Sequence, residues 1–198
     1  MDDDQTLTRH QRRRMRTRNQ LKSATLELLL EKGYDTITVQ HITDRADLGR
    51  GTFYIHFKDK EDVVWSIVKE GMDATDREAR KQIGEQLPPH PEYYGYLNMF
   101  RHANQNRDLY RVMLGGQGSS LLTARVHDYL ARDLEQEMQN YEIYQDFEAP
   151  QGITAQIVTG AIIRLIIWWL ETENDYPPEK MAGMLYETIH HQKAPQAD

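Results

Sequence analysis

Two stretches near the N-terminus concentrate groups that can hold a phosphate or read the edge of a base. "RHQRRRMRTR", Arg9 to Arg18, carries six arginines in ten positions. "GRGTFYIHF", Gly49 to Phe57, offers a guanidinium at Arg50, hydroxyls at Thr52 and Tyr54, and an imidazole at His56. A guanidinium can grip phosphate oxygens or the N7/O6 edge of guanine with two parallel bonds, and hydroxyls and imidazoles add single bonds to phosphate or base. Catalysis and metal binding are poorly served by contrast. The chain has no cysteine, which removes thiolate nucleophiles, disulfides and cysteine zinc sites. His190 and His191 are adjacent, so on a helix they diverge by about 100°. His102 and His127 have no ligand-type residue four positions away, and no H-E-x-x-H, phosphate-loop or serine-nucleophile motif occurs. These residues predict a protein that is not an enzyme, with no catalytic residues, no metal and no cofactor.

Charge distribution sharpens the polyanion reading. The net charge is -7, yet residues 9–60 carry 12 Lys+Arg against 6 Asp+Glu, while residues 61–198 carry 12 against 22. A basic N-terminal third joined to an acidic remainder suggests a small anion-binding domain on a body with a different task. The polar N-terminus argues against a signal peptide. "ITAQIVTGAIIRLIIWWL", 153–170, is nearly long enough to span a bilayer, but Gln156, Thr159 and Arg164 interrupt it. It reads as the buried helix of a cytoplasmic protein with no membrane partner.

Positioning falls to helices. Apolar residues recur at helical spacing throughout, and no strand-like alternation stands out. A first helix is predicted over about 12–32, with Leu21, Ala24, Thr25, Leu28 and Leu29 inward and Gly33 as its stop. Thr38 is a natural N-cap for a short second helix whose inner side is Val39, Ile42 and Ala46. "GRGTFYIHF" has strand-favouring residues, but a lone strand would leave its backbone groups unpaired, and a helix satisfies most of them. As a helix it points Phe53 and Phe57 inward and leaves Arg50, Thr52, Ile55 and His56 outward. Asp47-Leu48-Gly49 is then the tight turn of a helix–turn–helix. Asp59 caps a longer helix over 60–83. Further helices are predicted over about 92–106, 107–114, 121–147, 153–174 and 178–191, with "PPHP", "GGQGSS", "APQG" and "NDYPP" between them and frayed ends at 1–8 and 192–198.

"TVQHITDRADLGRGTFYIHFKDKEDV", Thr38 to Val63, resembles the DNA-binding segment of TetR/AcrR-type transcriptional regulators. Thr38, Ile42, Ala46, Gly51, Thr52, Tyr54, Phe57, Lys60 and Glu61 match that family's pattern in register. Thr43, Asp47 and Gly49 depart from it, standing where alanine, glycine and serine are usual. The resemblance implies an all-α chain of about nine helices. Residues 1–58 would form a three-helix helix–turn–helix domain with a basic arm, and 59–198 a helical ligand-binding and dimerisation domain. It also implies that Thr38, Tyr54, His56 and Lys60 grip phosphates while Arg50, Gly51, Thr52 and Ile55 face base edges. Ahead of such a domain, Arg12, Arg13 and Arg14 are expected to touch the minor groove or the flanking backbone.

For the body, the resemblance implies a homodimer joined through its last two long helices. Ile157, Ala161, Leu165 and Trp168 would form one stripe, and Met181, Met184, Leu185 and Ile189 the other, with Gly160 and Ala161 permitting close approach. Two reading helices about 34–36 Å apart would then enter successive major grooves of a palindrome. Among the eleven tyrosines, Tyr93, Tyr94, Tyr96, Tyr110 and Tyr129 cluster with Met99, Phe100, Met113 and Trp169. These aromatic and methionine residues are candidates either for a small-molecule pocket with hydroxyl handles or for plain core. The reading that unites these features is a cytoplasmic, nucleoid-associated repressor of double-stranded DNA released by a small-molecule effector. An activator, or a ligand-independent DNA-binding structural protein of the same fold, stands as the alternative.

Overall fold

The computed structural model describes residues 8–83, 89–114, 119–140 and 147–195. Within them the chain forms nine helices and no strand: α1 (Arg9–Lys32), α2 (Val39–Arg45), α3 (Arg50–His56), α4 (Lys60–Ile83), α5 (Pro91–Gln105), α6 (Arg107–Leu114), α7 (Ser120–Asn140), α8 (Gln151–Glu171) and α9 (Pro178–His190). Packing divides the chain into two compact units, Met1–Met72 and Asp73–Asp198. The division falls inside α4, later than the 58/59 boundary expected from the end of the helix–turn–helix. The first half of α4 buries Val63, Val64 and Ser66, which binds it to the N-terminal unit. The expected frayed ends at 1–7 and 196–198, the "GGQG" part of the 115–120 linker and the stretch 141–146 lie outside the described residues.

In the N-terminal unit side-chain caps set the starts of α1, α2 and α4. α1 starts at Arg9, three residues earlier than expected, because Thr8 and Gln11 form a reciprocal capping box. Leu21, Ala24, Thr25, Leu28 and Leu29 are buried as the spacing predicted, and the Thr25 hydroxyl donates to the Leu21 carbonyl at 2.8 Å. Gly33 ends the helix at φ 76°, a conformation other residues rarely adopt. Thr38 caps α2 by accepting from the His41 N–H. The turn closes with Asp47 at φ 51°, which the short polar side chain of aspartate tolerates. The Leu48 N–H then reaches the Thr43 carbonyl at 3.0 Å. Phe53 and Phe57 are fully buried with ring centroids 5.8 Å apart. Asp59 accepts from the Asp62 N–H, and Asp62 in turn accepts from the Lys58 N–H, fixing the start of α4.

The second unit is built on α5, α8 and α9. Tyr93, Tyr96, Leu97 and Phe100 of α5 meet Val158, Ile162, Ile166 and Trp169 of α8 and Met181, Leu185 and Tyr186 of α9 in one apolar cluster. α8 is long and apolar enough to cross a membrane, and half of its most apolar window is packed inside the protein. Its glycines face α7: a Cβ on Gly152 would meet Glu135 at 3.0 Å, and one on Gly160 would meet His127 at 3.5 Å. Arg111 donates to the Leu170 carbonyl and Arg107 to that of Trp169. Both satisfy last-turn carbonyls of α8 that have no partner within their own helix.

Candidate nucleic-acid interface

With Phe53 locked inward, the two turns of α3 turn Arg50, Gly51, Tyr54 and Ile55 to solvent; Ile55 is 69% exposed and Tyr54 53%. Thr52 and His56 flank this face half-buried. The Tyr54 ring stands edge-on to Phe53 at 5.5 Å, which orients its hydroxyl away from the core. Arg50 has no ion pair or hydrogen bond among the described residues. Ile55 is the apolar exception on an otherwise polar face, the kind of side chain that suits a thymine methyl. Burial, assisted by the nearby charges of Arg14 and Arg18, holds the His56 imidazole below its ordinary pKa, so it is neutral at neutral pH.

Neither Gly49 nor Gly51 has a left-handed φ, and an added Cβ at either would meet nothing within 4 Å. Any residue could adopt their conformations, so neither glycine is needed for backbone freedom. Gly49 occupies the N-cap of α3 and makes no side-chain cap bond, so the departure from serine removes a cap. Thr38 is exposed, and its hydroxyl oxygen accepts the His41 N–H while its proton stays free to donate outward. Lys60 differs from its expected role. Its ammonium donates to the Tyr34 carbonyl at 2.8 Å and lies 4.1 Å from the Tyr34 ring centroid. Burial lowers its pKa, so it pins the start of α4 to the segment between α1 and α2.

The remaining cations sort into paired and unpaired sets. Arg45 forks onto Glu31 and reaches Glu27 from α2 to α1, and Lys22 pairs with Glu70. Hydrogen bonding to Arg45 holds the Glu31 carboxyl below its usual range. Arg9, Arg12, Arg13, Arg14 and Arg16 are all exposed on the first turns of α1, with no ion pair among the described residues. At 100° per residue Arg9, Arg12, Arg13 and Arg16 share one side of α1, while Arg14 and Arg18 share the other. Arg18, counted with this run in the sequence, turns inward onto the carbonyl of His56 at 2.8 Å. That contact spans 38 positions, and nothing in the local sequence announces it.

In the second unit, Ile157 is 63% exposed and Trp168 40%, with Ala161 and Leu165 half-buried between them. Ile153 and Met184 are exposed as well. Met181 and Leu185 are not on this surface: both lie in the intramolecular core, because their side of α9 packs on α5 and α8. Ile189 packs partly against that core too, and Gly160 makes its close approach to α7 rather than outward. The residues expected around a pocket are mostly core. Tyr96, Phe100, Met113 and Trp169 are buried, and Met99, Tyr110 and Tyr129 half-buried. Their polar handles bond within the unit: Tyr96 to His190, Tyr110 to His102, Tyr129 to Asp73, and the Trp169 indole N–H to the Tyr176 carbonyl. Tyr110 also lines a shallow surface groove with Leu114, Ile166 and Leu170, too small to hold a water molecule.

Two family models match this chain. One, described as bacterial regulatory proteins of the tetR family, matches residues 21–67, the segment that holds α2 and α3. The other, described as the transcriptional regulator C-terminal region, matches residues 93–191, half of the chain. The HTH-type transcriptional regulator YxbF of Bacillus subtilis is 25% identical over 183 residues, covering 86% of this chain and 44% of YxbF. The fatty acid metabolism regulator protein of the same organism is 40% identical over 53 residues, 27% of each chain. This chain thus spans less than half the length of these curated relatives. Among solved structures, a TetR transcriptional regulator from Streptococcus agalactiae superposes with a TM-score of 0.66 at 22% identity, over 90% of this chain and 96% of that one. FadR from Bacillus subtilis, solved with stearoyl-CoA, superposes with a TM-score of 0.62 at 21% identity, over 85% and 95%. With its N-terminal segment and its C-terminal region both matched, the chain belongs to the TetR family of bacterial transcriptional regulators.

Proposed function

We propose that this chain is a sequence-specific, homodimeric repressor that leaves a palindromic operator when a small molecule binds its second unit. The observation that carries the DNA-reading part is the exposed face of α3 beside α1 arginines that have no ion pair among the described residues. Arg50, Gly51, Thr52 and Ile55 face base edges; Tyr54, Thr38 and neutral His56 donate to phosphates; Arg12, Arg13 and Arg14 hold the flanking backbone. Lys60 is reassigned to an internal tie. A second copy covers the exposed stripe of α8, Ile153, Ile157, Ala161, Leu165 and Trp168, together with Met184 of α9. That stripe supports dimerisation because a row of exposed apolar side chains marks an interaction surface, with the exposed Arg164 the one charge set among them.

The effector reading rests on the apolar interior of the second unit, where Tyr96, Tyr110 and Trp169 are engaged in internal bonds that a ligand reaching them must displace. The stearoyl-CoA held by FadR makes long-chain acyl thioesters the first effector class to test. As a soluble regulator the protein works in the cytoplasm, on the nucleoid when DNA-bound. The test is recovery of a preferred duplex from a random pool by purified protein, followed by titration of that complex with acyl-CoA. A preferred duplex released by micromolar ligand supports the reading. Recovery of random sequence overturns DNA reading, and binding indifferent to every small molecule overturns the effector part.

A further inference from the structure

The first turns of α1 present arginines to solvent, but Arg18 is half-buried and its guanidinium joins three helices. Its NH1 group donates to the carbonyl of His56, the last residue of α3, at 2.8 Å. Its NH2 group donates to the Ser66 hydroxyl of α4, also at 2.8 Å. The guanidinium plane lies 4.2 Å from the ring centroid of Phe57. Ser66 is itself buried and its hydroxyl donates a hydrogen bond to Glu70, 3.2 Å away, and Glu70 returns to α1 through Lys22. A planar fork that bonds in two directions while stacking on a ring is a task an ammonium cannot perform.

α3 needs such a clamp. It has seven residues, its N-cap glycine makes no side-chain bond, and Phe53 is its only buried member. Its last carbonyls have no partner within the helix, and Arg18 takes one of them. α4, the other side of the clamp, runs from Lys60 to Ile83 across the division between the two compact units. A shift of α4 along or about its axis moves Ser66, and through Arg18 it pulls on the end of the reading helix.

We infer that Arg18, with Ser66 and Glu70, is a positioning device that sets α3 against α4, so that sequence discrimination depends on a residue that touches no DNA. The inference rests on the proposal that α3 reads DNA. Five proteins separate it from the alternatives: wild type, Arg18→Lys, Arg18→Ala, the milder Ser66→Ala and the Arg18→Ala/Ser66→Ala double variant. The probes are the duplex recovered from a random pool by the wild type and a scrambled duplex of equal composition, each titrated over a salt series. Removing two charge-assisted bonds is expected to weaken Arg18→Ala and Arg18→Lys on the recovered duplex by at least about tenfold. Binding to the scrambled duplex stays within about twofold, and the salt slope is unchanged because every phosphate is still held. Ser66→Ala gives a smaller effect, and adding it to Arg18→Ala costs nothing further, since the two share one network.

An equal weakening on both duplexes, with a salt slope shallower by about 0.9, makes Arg18 a phosphate clamp and overturns the inference. Arg18→Lys behaving as wild type also overturns it, because charge alone would then suffice. A wild type that does not distinguish the duplexes overturns the DNA-reading proposal and this inference with it. A discriminating wild type with indifferent Arg18 and Ser66 variants overturns this inference alone.

Discussion

At the scale of single residues, the inward and outward assignments on α3 were legible because a two-turn helix leaves little choice. Phe53 and Phe57, four apart, had to share a side, and both are buried. Thr38 and Asp47 were legible for a similar reason: capping and left-handed turns are set by side-chain chemistry within three or four residues. Lys60 and Arg18 were not legible, since their partners Tyr34 and His56 stand 26 and 38 positions away. Gly51, inside α3, is a residue whose type the free chain does not explain. Its φ is ordinary and the space beyond it is open. Gly51→Ala is therefore expected to stabilise the free protein by about 0.4–1 kcal/mol through a less flexible unfolded chain. The same methyl is expected to weaken binding to the preferred duplex if, as proposed, the Gly51 backbone approaches a base edge there. Urea midpoints and DNA titrations of the one variant check both signs; unchanged DNA affinity would remove Gly51 from the interface.

At the scale of elements, α1 is a buried stripe with a basic extension, and the extension has two sides. The sequence showed a run of arginines; the capping box at Thr8 and Gln11 turns that run into helix and so gives it phase. Arg12 and Arg13 lie on the side away from Arg18, and Arg14 lies on the side toward it, close enough to His56 to act on its charge. Replacing Arg12 and Arg13 by alanine is expected to weaken binding to preferred and scrambled duplexes alike. It should flatten the salt slope by up to about 0.9 for each phosphate no longer neutralised. Affinity unchanged across the salt series would make the extension a solvated tail. In α5, burial lowers the pKa of His102, and the neutral ring shares a 2.8 Å hydrogen bond with the Tyr110 hydroxyl, which burial keeps protonated. The unfolded chain then binds a proton that the folded chain refuses. The stability of the second unit is intact above about pH 6.5 and falls as the pH drops below it. Urea midpoints at pH 7.5 and 5.5 should differ less in His102→Asn than in the wild type.

At the scale of the whole molecule, the fold class and the order of the helices followed from apolar spacing. The partition of α9 between core and surface did not. Met181, Met184 and Leu185 all look apolar at helical spacing, and only packing on α5 and α8 assigns Met181 and Leu185 inward and leaves Met184 exposed. The pocket residues were obscured the same way, because aromatic residues that could line a cavity equally fill a core. The exposed stripe of α8 gives the dimer proposal its test. Ile157→Glu with Trp168→Glu puts two charges on a surface that a second copy would desolvate. Sedimentation is expected to show dimer for the wild type and monomer for the double variant, with the fold kept, since both positions are exposed. A dimer that survives both charges lies elsewhere.

The solvent face of α3 is proposed to discriminate between DNA sequences, and Arg50 is the residue on that face whose fork of donors has no partner among the described residues. Fluorescence anisotropy of wild type and Arg50→Ala, against the preferred duplex and a scrambled one at the same salt, tests it most directly. Removing a bidentate base contact, about 1–3 kcal/mol, is expected to cost Arg50→Ala roughly 5- to 150-fold on the preferred duplex and little on the scrambled one. An equal weakening on both would contradict the claim and leave Arg50 a phosphate contact.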